Sequence, residues 1–292
     1  MHLVDGTYEL FRYFFALPSH VNGEGMEVSA TRGVVGSMLQ LLEDGATHVA
    51  IATDHVIESF RNDLYDGYKD GSGVDPVLVA QFPLLEEALE AAGFTVWAMV
   101  EFEADDALGA GAQMAVADPR VEQVLICTPD KDLGQCVQGT RVVQYDRRKD
   151  EIVDEAAVTA KFGVGPASIA DYLALVGDSA DGYPGLPGWG AKSAAAVLAK
   201  FGTIDAIPTS CGEWGLPALR GAEKLARTLA DQLDDALLFR AVATIALDVP
   251  VGSVDDWRWQ GPTPAFAAVA ERLGAPDLVG RAQRLAEKTG TR

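Results

Sequence analysis

Four short apolar runs in the first half of the chain, 2–4, 48–53, 94–99 and 122–127, each deliver carboxylates at or just past their carboxyl ends. Asp5 follows the first and Asp54 the second; Glu103, Asp105 and Asp106 follow the third, and Asp130 and Asp132 the fourth. Helical patterns over 8–17, 29–44, 76–92 and 103–116 separate these runs, and a fifth run covers 141–145. Such alternation predicts an α/β domain with a mostly parallel sheet. Pro76 suits a first helical turn and Gly93 a helix stop. In such sheets the ligand crevice lies beyond the carboxyl ends of the strands. One acidic residue there is explained by helix capping; four equivalent sites point to something further. Crowded, desolvated carboxylates repel one another and cost free energy unless a cation is supplied. Within VEFEADDALG, Glu103 and Asp106 are three apart and share a helix face. Asp105 projects about 200° from Glu103 and joins them only within the first turn.

A chain of 292 residues, 48% hydrophobic, accommodates one large domain or two smaller ones around a real core. Cys127, Cys136 and Cys211 lack metal-type spacing, which predicts free thiols in a reducing compartment. No run approaches the roughly 18 apolar residues of a membrane span, and the first residues lack a signal-peptide pattern. The expectation is a cytoplasmic protein with no membrane association. A formal net charge of −20 argues against a general polyanion binder, so any nucleic-acid contact must rest on a few local cations.

From about residue 155 helical patterns follow one another across Gly/Pro-rich joints, with Asp154 placed to cap a helix through Phe162 and another helix over 167–176. The segment GDSADGYPGLPGWGAKSAAAVLAKFG, residues 177–202, adds Asp178 and Asp181. Gly188 and Gly190 then allow close backbone approach to a phosphate, and Lys192 and Ser193 open a helix that also carries Lys200. Together these read as a clamp on duplex backbone. Arg61 and Lys69, in SFRNDLYDGYKDG, are the candidate phosphate-facing cations, the first as a planar fork and the second as a point charge. Tyr68 beside Lys69 can stack on a base or pack in the core. The apolar stretch 235–251 is expected to return to the first domain.

LVDGTYELFRYFFAL, FRNDLYDGYK, FEADDALG, TPDKDL and GDSADGYPGLPGWGAKSA, in this order and spacing over roughly residues 2–250, resemble the bacterial 5′ nuclease family of flap endonucleases and 5′-3′ exonuclease domains of DNA polymerase I. The resemblance implies a PIN-like nuclease domain over 1–154 with a helical arch near 66–84. It further implies a helix-three-turn-helix DNA-binding subdomain over 155–234, and a C-terminal segment over 235–292 packing back on the nuclease domain. It places Asp5, Asp54, Glu103, Asp105, Asp106, Asp130, Asp132, Asp178 and Asp181 at the family's acidic positions, and Arg12, Arg61 and Lys69 at its basic ones. Gly188-Trp189-Gly190 looks like the family's potassium-assisted backbone clamp. Where the family often carries a second basic residue after the loop lysine, this chain has Ser72.

The expected function is a stand-alone, monomeric, structure-specific nuclease that hydrolyses DNA phosphodiesters with two or more Mg²⁺ or Mn²⁺ ions, since oxygen-only sites suit those metals. Its expected partners are nicked or branched duplexes with a 5′ flap or 5′ end, RNA-primed ones included, and a separate DNA polymerase. Replication and repair follow from the resemblance alone. Three other classes stay open: a junction-binding protein without catalysis, a PIN-type ribonuclease, and a phosphatase built on the Asp-x-Asp of DKD.

Overall fold

The computed structural model describes residues 1–290. In chain order its elements begin with β1 (His2–Asp5), α1 (Gly6–Ala16), α2 (Ser29–Glu43), β2 (Val49–Asp54), α3 (Phe60–Leu64), α4 (Pro76–Val79), α5 (Gln81–Ala91), β3 (Thr95–Met99), α6 (Ala104–Ala117) and β4 (Val124–Cys127). They continue with β5 (Val142–Asp146), β6 (Glu151–Val153), α7 (Glu155–Phe162), α8 (Ile169–Val176), α9 (Ala191–Phe201), α10 (Ala222–Asp231), α11 (Leu233–Ala243), α12 (Phe266–Arg272) and α13 (Asp277–Thr289).

The chain divides into two compact units, one of residues 1–57, 71–128 and 246–292, the other of 58–70 and 129–245. Neither is a continuous stretch. In the first unit the strands run in the order β3-β2-β1-β4, all parallel, with Leu3 opposite Ala50 on one side and Ile126 on the other. Strands buried on both faces need near-continuous apolar sequence, and Leu3, Val4, Val49, Ala50, Ile51, Val124 and Ile126 are all fully buried. Gly6 lets α1 turn back tightly on this sheet: a Cβ there would lie 2.7 Å from Ile51 and 2.8 Å from the Ala52 carbonyl. Trp257 packs edge-on against Trp97 and donates to the Val251 carbonyl, so residues beyond 246 complete this core.

The pattern over 76–92 is one helix in sequence and two in the fold. Pro83, third residue of α5, has no N–H to give and its ring crowds the carbonyl of Val79, so the helix breaks at Ala80.

The second unit is mainly helical around one apolar cluster that includes Val158, Ile169, Leu173, Tyr183, Trp189, Val197, Trp214, Leu229 and Phe239. Asp154 caps α7 by accepting from Ala157 N, as its position predicts. The helix over 233–243 lies in this unit, and the chain enters the first unit at Ala246. β5 and β6 form an antiparallel hairpin in which Tyr145 faces Ile152. Three residues are too few to show alternation, which is why β6 has no signature in sequence.

Candidate metal centre

Each unit carries its own group of carboxylates. In the first, Asp5 caps α1, its Oδ1 accepting from Tyr8 N at 2.7 Å and its Oδ2 from the Thr128 hydroxyl at 2.9 Å. One strand over, Asp54 N–H donates to the Thr7 hydroxyl at 2.8 Å and its Oδ1 accepts from Ala104 N at 2.8 Å. Glu103 is the N-cap of α6, beside the Ala104 N–H that bonds Asp54, and half-buried Asp105 lies in the first turn of that helix.

Asp106 stands apart from these. It is fully buried, its Oδ2 accepts from Glu103 N at 2.9 Å and its Oδ1 from Ala246 N at 2.8 Å. Both oxygens are thus committed to backbone donors. Its place in the fold includes that of a buried tie between α6 and the returning chain.

In the second unit, Asp132, Asp178 and Asp181 bring carboxylate oxygens within 4.8 Å of one another, a spacing that suits a cation. Two local structures place them. The Asp130-Lys131-Asp132 turn is fixed by Asp132 N donating to Asp130 Oδ1 at 2.9 Å and by the Gln144 amide donating to the Asp130 carbonyl at 2.5 Å. The 178–183 loop is pinched shut, with Asp178 N donating to Tyr183 O at 2.9 Å and Tyr183 N to Asp178 O at 3.1 Å. Gly182, at φ +89°, permits this turn to meet the Lys69 loop, since a Cβ would lie 2.2 Å from the Gly67 carbonyl. Lys69 N then donates to Asp181 O at 2.9 Å.

The electrostatics of this group are unlike those of the first. Burial, then the charges of Asp130 and Asp181, push the Asp132 carboxyl well above the ordinary range. Its Oδ1 is buried without a hydrogen-bond donor, and so is the Tyr183 hydroxyl. Burial and the surrounding carboxylates, Asp132 first, hold that phenol protonated. Two lysines supply the compensating charge: Lys69 Nζ lies 3.0 Å from Asp181 Oδ1, and Lys131 Nζ is bonded to Asp178 Oδ2 and lies 3.8 Å from Asp132 Oδ1. A buried acceptor without a donor, in an all-oxygen set carrying excess negative charge, fits a hard divalent cation.

The remaining predicted residues divide sharply. Arg61 is 2% exposed, and its guanidinium donates to the Val242 carbonyl at 2.8 Å and the Thr244 carbonyl at 2.9 Å. It anchors α3 to the end of α11, which corrects its reading as a phosphate fork. Trp189 is buried, donates to the Leu225 carbonyl and packs against Trp214, and Tyr68 is buried in the same core. Neither ring presents a face to a base. Lys200 spends its ammonium on the Trp214 carbonyl at 2.5 Å. Arg12 pairs with Glu9 and lies over the Tyr13 ring. Ser193 and Gly190 close the start of α9 on themselves, Gly190 N donating to the hydroxyl at 3.0 Å. Gly188 and Lys192, at the entry of that helix, are exposed. Thr7, Thr128 and Tyr183 carry no signal in the sequence. Lys131 had one, its place between two aspartates.

Comparison with known proteins settles the lineage. Residues 1–163 match the 5′-3′ exonuclease N-terminal resolvase-like domain, and residues 164–265 match the 5′-3′ exonuclease C-terminal SAM fold. The chain belongs to the 5′-3′ exonuclease family. It is 33% identical over 210 residues to a 5′-3′ exonuclease of Aquifex aeolicus, covering 71% of each chain. It is 36% identical over 267 residues to DNA polymerase I of Bacillus caldotenax, covering 89% of this chain and 29% of that one. The chain thus corresponds to under a third of the polymerase relatives' length. Among solved structures the fold is similar to T5 5′-exonuclease with bound zinc, at a TM-score of 0.66 and 16% identity over 98% of both chains. It is also similar to the catalytic core of Rad2 in complex with DNA substrate, at 0.64 and 16% identity over 97% of this chain and 91% of that one. As a family member the chain pairs a resolvase-like α/β domain with a helical SAM-fold domain. Among its described residues no helix is long and apolar enough to cross a membrane.

Proposed function

We propose that this exonuclease is a divalent-metal-dependent, structure-specific 5′ nuclease, cutting 5′-flapped and 5′-ended duplex DNA in replication and repair in the cytoplasm. The observation that carries the reading is the Asp132–Asp178–Asp181 group with its buried, donor-less oxygen. Those three residues would hold one Mg²⁺ or Mn²⁺, with Asp130 supporting their turn. Asp5, Asp54, Glu103 and Asp105 would hold another, their orientation set by Tyr8 N, Thr128 and Ala104 N. Ions so held polarise phosphodiester oxygens and lower the cost of charge developing on the attacking and leaving oxygens.

The chain's own cations complete the chemistry. Lys69, on a loop docked to the Asp181 turn, neutralises charge on the phosphate once an ion occupies the carboxylates. Exposed Lys192 at the start of α9 meets the duplex backbone, so recognition is by shape and phosphate rather than by base sequence. Two ordered contacts of this kind fit a chain whose net charge is −20. The T5 relative's bound zinc and the Rad2 complex with DNA substrate support the assignment of metal and DNA.

The test is cleavage of a 5′-flapped duplex labelled at either end, with Mg²⁺, Mn²⁺ or a chelator. Metal-dependent products near the junction are expected, and Asp132→Ala/Asp178→Ala should lower the rate by about 10³-fold or more. Tight binding of the flap without cleavage in either metal would sink the nuclease reading.

A further inference from the structure

Lys131 sits between the two aspartates of TPDKDL and has no part in the reading above. Its ammonium is bonded to Asp178 Oδ2 and lies 3.8 Å from Asp132 Oδ1, so it touches two of the three carboxylates that come within 4.8 Å of one another. The lysine is held there by its own backbone. Residue 131 caps a 3₁₀ turn, Asp132–Cys136, with φ −67° and ψ −25°, and the flanking Asp130 is tied to Asp132 N and to the Gln144 amide.

We infer that Lys131 is an internal counter-cation: it occupies the Asp132–Asp178 pair in the metal-free protein and must leave those oxygens when a divalent ion takes them. The inference rests on the metal-centre reading. Crowded buried carboxylates are costly without a cation, and removing the only partner of a buried charge costs more than the pair itself contributes. The ammonium therefore stabilises the cluster whenever no ion is bound, and the same contact competes with the ion. Displacing one charge-assisted hydrogen bond lowers the apparent metal affinity by roughly tenfold. Once displaced, the ammonium stays tethered within a few ångströms of the cluster, with its three N–H donors available to an anionic oxygen of the phosphodiester. Lys69 stands in the same relation to Asp181, at 3.0 Å, so the group is balanced by ammonium on both of its loops.

The experiment is Mn²⁺ titration by calorimetry of the full chain, wild type beside Lys131→Met, Lys131→Arg and Asp178→Asn, with thermal unfolding of each in chelator and in saturating Mn²⁺. The site is the binding event that Asp178→Asn removes. Lys131→Met should bind Mn²⁺ there roughly tenfold more tightly than wild type, while Lys131→Arg, which keeps the charge, should not. Lys131→Met should also unfold at a lower temperature than wild type in chelator and at the same temperature in Mn²⁺. A lysine with a purely structural role would lower both temperatures and leave metal affinity unchanged, and that result overturns the inference. Loss of no binding event in Asp178→Asn overturns instead the metal-centre reading on which it stands.

Discussion

The two carboxylate groups of this chain are held in place by different kinds of contact. In the first unit, neutral donors reach the acidic side chains: Tyr8 N and the Thr128 hydroxyl reach Asp5, Ala104 N reaches Asp54, and Glu103 N and Ala246 N reach Asp106. In the second unit, Asp132, Asp178 and Asp181 lie against one another, two lysine ammoniums answer them, and one buried oxygen has no donor. Helix N-termini explain the difference. Their unpaired N–H groups stabilise a carboxylate without adding a charge. Asp132 lies on a short 3₁₀ turn and Asp178 on a pinched loop, neither of which supplies several free N–H groups to each carboxylate. A group built the second way is primed for a cation, whereas the first already contributes to the fold before any ion arrives.

The largest expected contrast in stability comes from Asp106. Asp106→Ala strips one buried and one half-buried N–H of their acceptor and should cost about 2–4 kcal/mol in urea unfolding of the metal-free protein. Asp106→Asn, which keeps one acceptor, should lose less. Unchanged stability together with a lost Mn²⁺ binding event would break the contrast by making Asp106 a ligand.

The opposite sign is expected at Asp132. Its carboxyl is pushed above the ordinary range by burial and then by Asp130 and Asp181, so ionisation there works against the fold. Asp132→Asn should therefore raise the stability of the metal-free protein at neutral pH by about 1 kcal/mol and abolish part of the stabilisation by Mn²⁺. A group protonated more readily in the folded state favours folding as pH falls through its raised pKa toward about 3.9, and that gain should vanish in the variant. Equal unfolding curves for Asp132→Asn and wild type from pH 7 to 5 would remove the repulsion from the account.

The smallest effect belongs to Glu27, a further carboxylate of the first unit. Desolvation opposes its charge but is outweighed by bonds from the Ser19 and Ser29 hydroxyls and from the His20 and Ser29 amides, which hold its pKa at about 2. A depressed carboxylate contributes stability above the unfolded value near 4.3, and loses it as pH falls through the folded value. Because Glu27 is partly exposed, screening keeps the contribution below about 1 kcal/mol. Glu27→Gln should cost that much at pH 7 and nothing near pH 2. A cost that persists at pH 2 would locate the effect in packing.

Much of this was legible in the chain itself. Five strands, the capping role of Asp154, and the acidic residues after β1, β2, β3 and β4 can be read from apolar period and punctuation, because those signals sit within ten or so residues. The break at Ala80 was not read: the apolar pattern runs through 76–92 as one helix, and Pro83 divides it in the fold. Nor was Arg61 legible. Its basic neighbourhood reads as a phosphate site, whereas its partners are carbonyls 181 and 183 residues away. Trp189 likewise sits in a segment that reads as a backbone clamp, and Tyr68 beside Lys69 reads equally as a base-stacking or a packing ring, yet both fill the core of the helical unit.

The sequence by itself determined the α/β order of elements, the membership of the 5′-3′ exonuclease family, and which carboxylates exist to be arranged. Only the tertiary structure decided what each carboxylate meets. Asp106 finds its second donor 140 residues away at Ala246, and Asp178 finds its cation 47 residues away at Lys131. Periodicity and capping are properties of short windows of chain. Desolvation, charge compensation and the orphaned oxygen of Asp132 depend on which distant segments are packed together, and no short window carries that information.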